Sequence, residues 1–71
     1  MAATLIELRH DRHVTQDELA ALVGVETRTI QRWEAGTQRP GPAMGRKLAG
    51  ALGVPVEKVL AALDERGAAR E

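Results

Sequence analysis

The sequence predicts an all-α class: one compact domain of five short helices. Three observations carry that prediction. Apolar residues recur at helical spacing in successive segments: Leu5 and Leu8; Leu19, Leu22 and Val23; Ile30 and Trp33; Leu48 and Leu52; Val56, Val59, Leu60 and Leu63. Spacings of three and four residues put such side chains on one buried helical face. Gly24, Gly36 and Gly53 each fall just past a periodic segment, where a glycine can take the left-handed turn that ends a helix. Thr15-Gln16-Asp17-Glu18 fits a capping box, in which the Thr hydroxyl and the Glu carboxylate each accept from the other's backbone N–H.

In chain order, helix one is expected over residues 2–12, with Leu5 and Leu8 inward and Arg9 one residue past that seam. Helix two starts at the Thr15 cap and buries Leu19, Leu22 and Val23. Ala20 is small where a neighbouring helix must come close. Gly24 ends this helix and Val25 plugs the turn into the core. Helix three is expected from about Glu26 to Ala35, closed by Gly36, with Ile30 and Trp33 inward. Trp33 is the only aromatic residue; its spacing from Ile30 places it in the core rather than stacked on a base. Pro42 suits the first turn of helix four, where its missing N–H costs little. That helix runs to about Leu52, with Met44, Leu48 and Leu52 on its inner side. Helix five begins near Pro55 or Val56 and reaches about Leu63; its apolar stripe of Val56, Val59, Leu60 and Leu63 either completes a small core or leaves some surplus for a partner. Residues 1–63 form the expected domain, and residues 64–71 a polar, Ala-rich tail expected to fray.

The outward face of helix three carries Thr27, Arg28, Gln31 and Arg32. Arg28 and Arg32 lie one turn apart, which costs an isolated helix about 0.2–0.5 kcal/mol in like-charge repulsion. A polyanion turns that cost into attraction. Arg in a major groove makes paired hydrogen bonds to guanine O6 and N7, and a carboxylate such as that of Glu26 can accept from cytosine N4. Thr27 can meet a base edge or a thymine methyl.

At these residues the chain resembles the helix-turn-helix domain of the lambda-repressor and Cro type, the XRE family. The likeness is carried by Leu8, Arg9, Thr15, Gln16, Glu18, Leu19, Ala20, Gly24, Val25, Ile30, Trp33, Glu34, Gly36 and Pro40, and by the run Leu48-Ala49 with Ala51-Leu52-Gly53-Val54. It covers roughly residues 5–63, with its motifs in register together.

The resemblance implies roles for further residues. Arg9 and Glu34 match a pair that forms an ion pair in the family, which would clamp helix one to the end of helix three. A structural role for Arg9 is favoured over a phosphate contact, and the two are compatible. Gln16 matches a Gln that touches the DNA backbone and can brace a reader side chain. The loop at residues 36–42, with Thr37, Gln38 and Arg39, matches a loop that faces phosphate. His13 stands where the family usually has Gly, so it is expected in a left-handed conformation, which His tolerates better than most residues. Glu26 stands where the family usually has a Ser or Thr cap; its charge suits the helix dipole but repels phosphate, and Thr27 is the alternative cap. The C-terminal helix matches the family's dimer seam.

Composition narrows the function classes. The 71 residues contain no cysteine and two histidines, His10 and His13, so no disulfide framework or thiolate metal site can form. No apolar run is long enough to span a membrane and the N-terminal stretch lacks a signal-peptide core, so a cytoplasmic protein is expected. No paired-carboxylate constellation or phosphate loop supports an enzyme, and no cofactor or metal is expected. The net charge is zero, but its distribution is uneven: residues 1–23 carry −2, residues 24–47 carry +3 and residues 48–71 carry −1. Arg46 and Lys47 belong to the basic third and read equally well as phosphate contacts or as solvated helix charges. The expected function is a sequence-specific DNA-binding regulator, a repressor that binds a palindromic operator as a homodimer through the C-terminal helix. The alternative is an antitoxin or adaptor whose main partner is a protein such as a toxin.

Overall fold

The computed structural model describes residues 4–69, with side chains described for residues 4–63. Five helices follow one another: α1 (Leu5–Asp11), α2 (Gln16–Val23), α3 (Thr27–Ala35), α4 (Pro42–Leu52) and α5 (Val56–Ala69). There is no strand among the described residues. The fold is the all-α, lambda-repressor-like arrangement. α2 packs against α3 and α4, α4 against α5, and α1 and α5 close over α3.

Local chemistry sets each boundary. Two helices begin in full capping boxes, Thr4 with Glu7 and Thr15 with Glu18. The first of these starts α1 at Leu5, later than the expected residue 2. α5 continues to Ala69 rather than stopping near Leu63. Of the tail expected at residues 64–71, residues 64–69 are therefore helical, and residues 70–71 lie outside the described residues.

The first four helices end in one shared way. The second residue past α2, α3 and α4, and the third past α1, donates its N–H back across the last turn: Val14 to Arg9, Val25 to Ala20, Thr37 to Arg32 and Val54 to Ala49. The residue before each donor must be left-handed. Gly24 (φ 78°), Gly36 (φ 81°) and Gly53 (φ 67°) serve three of the turns, and His13 serves the first at φ 56°. Val14, Val25 and Val54 each pack a partly buried side chain onto the core, the apolar contact that usually accompanies this turn. Thr37, after α3, is the exception: it is polar and exposed.

The core is built from Leu5 and Leu8, Leu19, Ala20 and Val23, Ile30 and Trp33, Leu48, Ala49 and Leu52, and Val59, Ala62 and Leu63. Burying each large aliphatic side chain contributes about 1.5–3 kcal/mol. Leu22 departs from expectation and is 61% exposed, while Ala20 takes the inner place. The inner face of α2 must meet α3 on one side and α4 on the other. It therefore runs through Leu19, Val23 and Ala20 and leaves Leu22 beyond its edge. Leu60, part of the expected stripe on α5, is 44% exposed.

Candidate nucleic-acid interface

α3 separates its two faces sharply. Ile30, Trp33 and Glu34 are buried; Arg28, Gln31 and Arg32 are exposed, and Thr27 is half-buried. Arg28 and Arg32 therefore project from a helix whose other side is held by the core. Glu26 is the α3 cap in backbone terms (φ −78°, ψ 151°), yet its side chain caps no N–H. Thr27 is not the alternative cap. It lies inside the helix, and its hydroxyl donates instead to Asp17 Oδ1 of α2 at 2.7 Å. Thr37, Gln38 and Arg39 follow α3 in an exposed loop. Thr37 is tied to the helix end twice, its N–H to the Arg32 carbonyl at 3.0 Å and its hydroxyl to the same oxygen at 3.3 Å.

A chain of polar contacts fixes this face from beneath. Arg9 Nε donates to Glu34 Oε2 at 2.7 Å, with Arg9 9% and Glu34 6% exposed. Arg9 Nη1 also donates to the Val14 carbonyl at 3.0 Å, so the guanidinium joins α1, the following turn and α3. The other Glu34 oxygen, Oε1, accepts from Gln16 Nε2 at 2.7 Å. A carboxylate only accepts, so this contact decides which way round the Gln16 amide sits. Its oxygen then faces Gln31, whose Nε2 donates to it at 3.3 Å. Gln31 retains its own oxygen and one N–H.

The resemblance paired Arg9 with Glu34 and gave Gln16 and Gln31 roles of their own, and the structure brings all four into one network. Sequence reasoning missed Asp17, which looks like an ordinary acidic residue in the first turn of α2. The only sequence signal was the juxtaposition of the starts of two helices joined by a short turn. Arg12 was also missed. Its guanidinium lies over Gly53 so closely that a Cβ there would sit 2.9 Å from Nη2, which places a cation at the C-terminal end of α4, where a helix favours positive charge.

Comparison with known proteins agrees with this architecture. The family model described as Helix-turn-helix matches residues 5–59. A curated relative, the uncharacterized HTH-type transcriptional regulator RghRB of Bacillus subtilis (strain 168), is 42% identical over 59 residues. The alignment covers 82% of this chain and 42% of the relative, so the chain spans less than half of that protein's length. No solved structure matches the chain. A helix pair joined at Gly24, an outward basic face on the second helix and a family match over most of the length lead to one assignment: the chain belongs to the XRE-type helix-turn-helix family.

Proposed function

We propose that this protein is a sequence-specific DNA-binding transcriptional regulator that acts as a repressor. α3 enters the major groove. Arg28 and Arg32 read guanines, Thr27, Gln31 and Glu26 address neighbouring base edges, and Gln16 with Thr37, Gln38 and Arg39 sets the register on phosphates. The observation that carries this reading is the exposure of Arg28, Gln31 and Arg32 on a helix whose opposite face is fully packed. The name of the Bacillus subtilis relative, a transcriptional regulator, supports the same reading.

A single module of this kind buries about 600–1,000 Å² of its own surface on DNA, too little for tight specific binding. A homodimer joined through α5 on a palindrome, with half-sites about 34 Å apart, supplies the remainder. Exposed Leu60 on α5 supports that seam. The setting is the cytoplasm, where the target DNA of such a regulator lies. Among the described residues, no helix is long and apolar enough to cross a membrane.

The second reading is an antitoxin or adaptor that docks a protein such as a toxin. It draws on exposed Leu22, which borders a shallow hollow with His13, Val14, Glu18 and Ala21. Binding-site selection from random DNA at two salt concentrations separates the readings. A DNA regulator enriches a palindrome and loses affinity steeply as salt rises, because phosphate contacts release counterions. A pure protein adaptor enriches nothing.

A further inference from the structure

We infer that Asp17, a residue of α2, sets the base preference of Thr27 by taking its only hydroxyl proton. The inference rests on α3 being the helix that faces the groove. A threonine hydroxyl carries one proton and two lone pairs, so it ordinarily meets either a donor or an acceptor. Here the Thr27 proton points to Asp17 Oδ1 at 2.7 Å. A carboxylate offers no proton in return. Thr27 is left as an acceptor toward anything outside the protein.

The surroundings push the same way. Glu26, next to Thr27, is exposed and its carboxylate makes no capping bond to its own helix. The start of α3 thus presents acceptors from Asp17, Glu26 and Thr27. Arg28, the very next residue, and Arg32, a turn further on, present donors that accept nothing. The side chains of the reading helix thus lead with acceptors and follow with donors.

Base edges answer to that order. In the major groove adenine N6 and cytosine N4 donate, whereas guanine O6 and thymine O4 accept. The acceptor end selects a base pair whose strand nearest Thr27 carries an amino group, A or C. It rejects G or T on that strand, because their oxygens face other acceptors. Asp17 touches no base in this scheme; it is a positioning residue that converts a permissive hydroxyl into a selective one.

The test measures affinities of the full chain for duplexes carrying each base pair, in both orientations, at every position of the selected half-site. Thr27→Val locates the pair that Thr27 reads. The wild type is expected to favour A or C over G or T on one strand of that pair by about fivefold or more. Asp17→Ala removes the acceptor outright and is expected to bring that ratio toward one while preferences at the guanine-reading positions hold. Asp17→Asn keeps a side-chain oxygen that still accepts the Thr27 proton. In a Thr27→Val background, Asp17→Ala should change nothing further at that pair. The inference is overturned if Asp17→Ala keeps the wild-type ratio, or lowers affinity equally for every duplex, or if the wild type favours G or T there. A wild type that enriches no sequence overturns the DNA-binding reading itself, a result separate from the other three.

Discussion

Removing either partner of the Arg9–Glu34 pair strands the other as a buried charge. Such one-sided losses cost about 3–5 kcal/mol, a large part of the 5–15 kcal/mol typical of a whole domain. Glu34→Ala is therefore expected to lower the free energy of unfolding by about that amount, read from urea denaturation. A loss below about 1 kcal/mol would show a pair screened like a surface one. The pair was legible only through family resemblance, since no local pattern links residues 9 and 34. The bracing role of Gln16 was likewise legible only through the resemblance, and the Asp17 bond to Thr27 was not legible at all, because it depends on how two helix starts meet in space. His13 carries a second prediction at this scale. Its left-handed backbone (φ 56°) costs a side-chain-bearing residue about 1–2 kcal/mol, and glycine would forfeit about 0.5–1 kcal/mol in chain entropy. His13→Gly should stabilise the fold by roughly the difference, up to about 1.5 kcal/mol, seen as a higher melting temperature.

Among the elements, what is encoded within a few residues was readable and what depends on neighbours was not. The Thr15 box, the closures at Gly24, Gly36 and Gly53 and the inward turn of Ile30 and Trp33 all follow from short-range spacing. The matching box at Thr4 and Glu7 was equally local and passed unread, because the apolar pattern around it was short. Leu22 illustrates the other case. On a helical wheel it lies about 60° to one side of Leu19 and Ala20 about 100° to the other. Apolar spacing favours Leu22; only the positions of α3 and α4 decide for Ala20. α4 offers a direct test of helix chemistry. Gly50 lies in its interior, is exposed, and a Cβ there would meet nothing within 4 Å. Gly50→Ala should stabilise the protein by about 0.5–1 kcal/mol in thermal or chemical denaturation. A destabilised Gly50→Ala protein would mean that α4 needs a flexible point there.

At the scale of the whole molecule, a chain this short buries only about 60% of its unfolded surface, and the polar network beneath α3 holds that helix's outward face on that thin margin. Charge is distributed to match. The net value is zero, yet residues 24–47 carry +3 and contain both α3 and the loop behind it. Two substitutions should separate the roles within that segment. Arg28→Ala is expected to relax preference at one base pair, a loss of about 1–3 kcal/mol in discrimination. Arg39→Ala is expected to weaken every duplex alike and to lower the salt dependence of binding by about one counterion. Affinities across a panel of operator variants at several salt concentrations read both effects.

The central claim is that the outward side of α3 is the surface that meets DNA. Titrating the isotopically labelled chain with its selected duplex, and following each backbone amide by NMR, tests it most directly. The largest shifts are expected from Thr27 to Arg32, at Gln16 and in the loop around Arg39, with the outer side of α2 at Leu22 unmoved. Shifts centred on Leu22, with α3 unchanged as duplex is added, would contradict it.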